Sequence, residues 1–139
     1  MLRSANAGLG LFILRVVVGL VFLWHGLGKL VGPPFAGGGM DGTIGFFTQV
    51  GIPLPDVAAW GVALVETLGG LALILGIVVP LAALLLAIDM AVAILKVRLA
   101  GGFAAPNGFE YELTLLAALM CLFFAGPGIV AVQIRPRQG

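Results

Sequence analysis

Long apolar stretches dominate the chain, and its few charged residues sit between them or at regular places within them. A helix that crosses a bilayer needs about 20 mostly apolar residues. Residues 8–30, 57–79, 80–99 and 109–125 meet that requirement, so the pattern predicts an all-α, integral membrane bundle of four transmembrane helices. Pro80 suits the first turn of the third span, where its missing N–H would have no partner anyway. Gly126-Pro127-Gly128 stops the fourth, because proline cannot continue the helical ladder. The connection between the first two spans is long and broken by Pro33, Pro34 and Gly37–Gly39. Within it, Thr43 to Val50 carries Ile44, Phe46, Phe47 and Val50 at a spacing that predicts a short interfacial helix. The whole chain, residues 1–139, reads as one membrane domain.

Within each span the small and charged residues share one face. In the first they are Arg15, Gly19, Gly26 and Lys29, with Phe22 among them and His25 at the edge. In the second they are Ala59, Ala63, Glu66 and Gly70, with Leu73; in the third, Ala82, Asp89, Ala93 and Lys96. The opposite faces are Leu, Val and Ile. The first kind of face turns inward, where glycines let backbones approach, and the second meets lipid.

An ionisable residue at the centre of a span costs about 3 kcal/mol by insertion scales, so it persists when paired or when it lines a wet cavity. His25, Lys29, Glu66, Asp89, Lys96, Glu110 and Glu112 all fall in the half of the bundle away from the termini, with both signs present. Glu66 can pair with Arg15, His25 or Lys29 on the first span, or with Lys96. Asp89 and Lys96 lie on one face of the third span, and such a pair can also serve only to fix helix register. Arg98 points away from that face and reaches for headgroups. Arg15 lies nearer the other surface and snorkels to it. Trp24, Trp60 and Tyr111 read as interface anchors.

Composition narrows the functions further. Only 9% of the 139 residues are charged against 61% hydrophobic, whereas soluble domains carry about 25% charged residues. A net charge of +1 with scattered basic residues gives no reason to expect a nucleic-acid partner. The single cysteine, Cys121, excludes an intrachain disulfide or dithiol chemistry, and reads as a small apolar filler. The single histidine excludes a bis-histidine haem within one chain, and there is no metal-binding motif. Arg3 and the apolar run after it read as the start of a retained span rather than a signal peptide. Four spans place both termini on one side, together with Arg3, Arg135 and Arg137, and the cytoplasmic side is expected for them.

Three ordered segments then carry a resemblance. The first span reads R-x3-G-x2-F-x2-H-G-x2-K through Arg15, Gly19, Phe22, His25, Gly26 and Lys29. The loop continues with two phenylalanines and G-I-P-x-P, Phe46 to Pro55. The second span carries E-x2-G-G-x2-L-x2-G through Glu66, Gly69, Gly70, Leu73 and Gly76. With the closing Gly-Pro-Gly, this resembles the DoxX family of small four-helix bacterial membrane proteins over nearly the whole chain. The family often places a serine and an aspartate after its final Gly-Pro-Gly; here Ile129-Val130-Ala131-Val132-Gln133 follow, so that part of the pattern is missing.

The resemblance implies a bacterial inner membrane and a respiratory or oxidative-stress setting. Relatives of that kind include a membrane subunit of a thiosulfate:quinone oxidoreductase and proteins tied to quinone resistance. One reading is therefore a redox-linked subunit with a quinone pocket in the outer half of the bundle, built from Glu66, His25, Lys29, Asp89, Lys96, Arg15 and Glu112. Glu66 would exchange a proton, with His25 or Lys29 stabilising the anion. Electrons would come from a redox partner protein or a bound cofactor. The second reading is a transporter of a small solute or of protons; four spans without an internal repeat are few for alternating access, which a homo-oligomer would remedy. The third is an accessory membrane subunit whose charges only pair.

Overall fold

The computed structural model of the protein describes residues 2–131 and is all helix and loop over that range. Helix α1 (Leu2–Val31) is followed by the short α2 (Gly39–Gln49), then α3 (Pro55–Leu75) and α4 (Val79–Ala93). Helix α4 runs on through a π-helical turn, Ile94–Arg98, and a 3₁₀ turn, Leu99–Gly101, before α5 (Glu110–Ala125). The expected short helix exists but starts earlier than predicted, at Gly39. Arg135 and Arg137, on which the expectation for the termini partly rests, and Gln133 lie outside the described residues.

Three segments are long and apolar enough to cross a bilayer: Ser4–Val31, Pro55–Leu75 and Val79–Gly101. The expected fourth span is a helix of 16 residues. At 1.5 Å per residue it is about 24 Å long, short of a hydrocarbon core of about 30 Å. Leucines, valines and isoleucines on the outer faces are exposed, including Leu9, Ile13, Val17, Leu20, Leu64, Leu68, Leu71, Leu81, Ile88 and Leu95. A soluble monomer rarely carries an apolar surface of that extent. Lipid is the solvent that suits it, and the helices satisfy their own backbone groups there.

The inward faces are largely the predicted ones. The buried residues of α3 are Ala59, Ala63, Glu66, Gly70 and Leu73, the face read from the spacing. Helix α1 buries Arg15, Gly19, Phe22 and Gly26. Gly19 and Gly70 face each other: a methyl group on Gly70 would lie 2.7 Å from Gly19 O and 2.6 Å from Leu23 N. The α1–α3 pairing therefore depends on bare backbone at that crossing. Helix α4 packs chiefly on α5, through Leu86, Met90, Leu115, Leu119 and Leu122, and α2 bridges α1 and α3.

The turn between α3 and α4 is three residues long, with Gly76 and Val78 both at positive φ. The chain after α5 folds back onto α1 beside this turn. Arg15 is wholly buried there, which corrects the expectation that it snorkels to the surface. Its Nη2 donates to Val130 O at 2.7 Å and to Ile129 O at 3.2 Å, and its guanidinium lies 5.3 Å from the Phe12 ring centre. Ile129 N donates in turn to Gly8 O at 3.3 Å. The free carbonyls of a chain end, not the headgroup layer, take up the charge.

Gly70→Ala is expected to lower the thermal midpoint of the detergent-solubilised protein, through overpacking worth about 1–3 kcal/mol. Gly10→Ala, where a methyl group meets nothing within 4 Å, is the matched control and should leave the midpoint unchanged. Arg15→Leu should raise hydrogen–deuterium exchange in residues 126–131, because it removes the donor that holds their carbonyls. Unchanged exchange there would show that the strap is held by other contacts.

Candidate functional site

The charges of the half away from the α3–α4 turn are sorted by the helices that carry them. Lys29 sits in the last turn of α1, where a cation also complements the helix C-terminus. Its Nζ meets Glu66 Oε2 of α3 at 2.7 Å, with the Glu66 side chain only 5% exposed. Of the four partners the sequence left open for Glu66, the structure selects Lys29. Asp89, on α4, places its carboxyl against that of Glu66. Glu112, in the first turn of α5, accepts from Arg98 Nε at 2.9 Å.

Two expectations for α4 are reversed. Lys96 does not share a site with Asp89; it is exposed and lies off the cavity described below. Arg98, expected to point away, reaches in. The cause is local. A π turn closes its hydrogen bonds over five residues instead of four, so side chains across Ile94–Arg98 lag behind their α-helical directions by up to about a quarter turn. That carries Lys96 off the Asp89 face, puts Val97 on it, and brings Arg98 round toward Glu112. The following loop holds Arg98 there: its Nη1 donates to Pro106 O at 3.3 Å, and Phe103 and Phe109 pack edge to face at 5.6 Å.

These groups surround a cavity of about 530 Å³ between α3, α4 and the short α2. Its polar lining is His25, Lys29, Glu66, Asp89, Arg98, Tyr111 and Glu112; the remainder is almost wholly apolar, from Phe22, Phe46 and Phe47 to Val62, Val65, Ile88 and Val92. Of the predicted site residues, His25, Lys29, Glu66, Asp89 and Glu112 are brought together here. Lys96 is not, and Arg15 belongs to the opposite end of the bundle. Arg98 and Tyr111 were missed, because an α-helical wheel cannot register a π turn and because tyrosine at a span's end has an equally good reading as an anchor. Gly61, Leu85, Ile88 and Val92, on facing sides of α3 and α4, are exposed at the cavity's rim, so it opens toward the face that lipid covers.

Such a cavity has the volume and the largely apolar wall of a small-molecule site with a few convergent polar groups. Among the described residues, no three of His, Cys, Asp and Glu are grouped as metal ligands, and the lining suits an organic ligand. Two buried oxygens, Asp89 Oδ2 and Glu112 Oε2, have no hydrogen-bond donor among the described residues. A buried polar atom left so costs about 1–3 kcal/mol, and more when charged. Ordered water or a ligand group in the cavity would meet that cost.

Comparison with known proteins agrees with this architecture. The family model described as DoxX matches residues 10–99, which include most of α1 and all of α2, α3 and α4. The chain is 33% identical over 114 residues to "Putative oxidoreductase CatD" of Bacillus subtilis, covering 82% of this chain and 78% of that one. It is 34% identical over 126 residues to the membrane protein Rv3486 of Mycobacterium tuberculosis, covering 83% and 74% of the two chains. Over 131 residues it is 27% identical to the inner membrane protein YphA of Escherichia coli, covering 90% and 89%. No solved structure gives a significant match. With the matched region spanning the glycine crossing, the Lys29–Glu66 pair and Asp89, the protein belongs to the DoxX family.

Proposed function

We propose that this protein is a subunit of a redox or oxidative-stress system in the bacterial inner membrane, and that it binds a quinone in the cavity between α3 and α4. The observation that carries the reading is a cavity with apolar walls, open toward lipid, around carboxyl, ammonium, guanidinium and imidazole groups. A quinone is made of the same two parts, an apolar ring and tail that partition into lipid and polar oxygens that change protonation when the ring is reduced. The name of the Bacillus subtilis relative points to the same kind of chemistry.

In this reading the helices α1, α3, α4 and α5 are four spans, with α5 completed to full thickness by the packed loop before it and α2 lying at the interface. Both termini are cytoplasmic, and the cavity lies in the outer half of the bundle. Glu66 exchanges a proton with the ring oxygen. Asp89 stands beside it on the facing helix. Lys29 and His25 stabilise negative charge on the ring oxygen during reduction. Electrons are delivered by a partner protein or by a cofactor that a partner carries. A homo-oligomer is compatible with the exposed backs of the helices.

The test is to extract the protein in mild detergent and identify what co-purifies, by absorption and by mass spectrometry of extracted small molecules and partner chains. Quinone is expected at near-stoichiometric amount. Glu66→Gln and His25→Ala should each reduce that occupancy about 10- to 100-fold while elution on gel filtration stays the same, the loss appropriate to a hydrogen bond to a charged group. A protein that is clean of quinone and of chromophore would replace this reading with an accessory or transport role.

A further inference from the structure

A groove of about 240 Å³ continues from the polar cavity along the seam between α3 and α4, and Val65 and Leu85 line both spaces. From those two residues it runs to Ala72 on α3 and to Val78 on α4, a distance of about 10 Å along each helix at 1.5 Å per residue. Every residue of its lining is apolar or glycine. Leu68 and Leu81 are exposed at its lips, on the face that lipid covers. Gly69 lies behind them, half-buried. The Gly69-Gly70 pair serves two neighbours: Gly70 admits α1, and a methyl group on Gly69 would lie 3.1 Å from the Leu86 side chain of α4. Bare backbone at Gly69 thus lets α4 approach behind the groove, while the leucines in front leave the channel between them.

The two spaces differ as the two parts of a lipid-soluble ring compound differ. The ionisable groups line the cavity, and none lines the groove. Resting on the quinone reading above, we infer that the groove holds the apolar tail of the ligand whose ring occupies the cavity, the tail passing Val65 and Leu85 and running toward the α3–α4 turn. Carbon–carbon bonds of about 1.5 Å advance a zigzag chain by about 1.25 Å each, so the groove covers about eight carbons of the tail. A tail that leaves lipid for this groove gains little from the hydrophobic effect, since both surroundings are apolar. It gains dispersion contacts with a fixed wall. It also fixes how the ring faces Glu66 and His25, because the tail leaves the cavity at one defined corner.

The experiment photolyses the purified full-length protein in detergent with decylbenzoquinone that carries a diazirine at the end of its tail, and maps the labelled residues by mass spectrometry. Label is expected within residues 68–82. An excess of unlabelled decylbenzoquinone should remove most of it, and the same excess of decanol should not. Ala72→Phe, which fills the groove, should weaken decylbenzoquinone about tenfold in equilibrium dialysis and leave the tailless methylbenzoquinone unchanged. Partition into the micelle is common to both proteins and cancels in that comparison. Label spread over the outer faces of all the helices, or label in the groove that decanol removes equally well, would overturn the inference, because the groove would then take acyl chains at large. Label on Phe46, Phe47 or Ile52 of the cavity wall would overturn it too, with the tail folded over the ring, and would leave the quinone reading standing. Equal weakening of the two benzoquinones in a folded Ala72→Phe, or of neither, would also overturn it. Binding of neither benzoquinone to the wild-type protein would overturn both readings. The wild-type label decides the matter even if the variant does not fold.

Discussion

A charge placed inside an apolar bundle has to find its counterpart within the protein, because lipid supplies neither a counter-ion nor a hydrogen bond. The Lys29–Glu66 contact at 2.7 Å is where this constraint shapes the protein most. It ties the end of α1 to the middle of α3, and it requires those two backbones to lie close. The Gly19–Gly70 crossing, about one turn along α3 from Glu66, provides that approach. Helix α2 is placed by the same corner: the Thr43 hydroxyl donates to Gly39 O at 2.8 Å and lies 3.4 Å from Lys29 O. The packing of α4 on α5, apolar apart from the Arg98–Glu112 pair at one end, closes the other side and leaves the space between the two pairs as the cavity.

The two ends of the bundle treat charge differently. At the end with the α3–α4 turn, Arg15 is neutralised by backbone carbonyls of the strap that follows α5, and its Nε and Nη1 find no acceptor among the described residues. That arrangement holds a chain segment in place. At the other end, cations meet carboxylates and one carboxyl meets another, around a space large enough for a ring. This difference is why the functional reading belongs to the one end only, although each end buries an ionisable group completely enough to attract notice in the sequence.

Much of the architecture was legible beforehand because lipid simplifies the code. With no water to satisfy a stray backbone group, helices are the form available to long apolar segments, and a period near 3.6 then separates inward from outward faces. The inner face of α3 came out residue for residue as read. Legibility failed in two places, each where the backbone or the partner departs from a plain helix wheel. The π turn exchanged the roles of Lys96 and Arg98. Arg15 found carbonyls more than a hundred residues away along the chain, a contact without sequence signature. The last helix came out at Glu110–Ala125 against 109–125 as read, and Phe109 and the residues before it fold into a hydrogen-bonded loop through Gly102 O and Phe103 O.

Composition and periodicity by themselves determined that this chain lives in a membrane as helices, and which residues could not face lipid. They do so because burial in an apolar solvent penalises every unpaired polar group in proportion to its type, whatever the fold. Pairing was different. Glu66 had four plausible cations within reach of a helix wheel, and Asp89 had a lysine on its own face. Only the tertiary structure decided that Lys29 meets Glu66, that Asp89 leans on Glu66, and that Arg98 meets Glu112. Such contacts depend on ångström-scale distances between helices, and those follow from packing, glycine crossings and one irregular turn acting together.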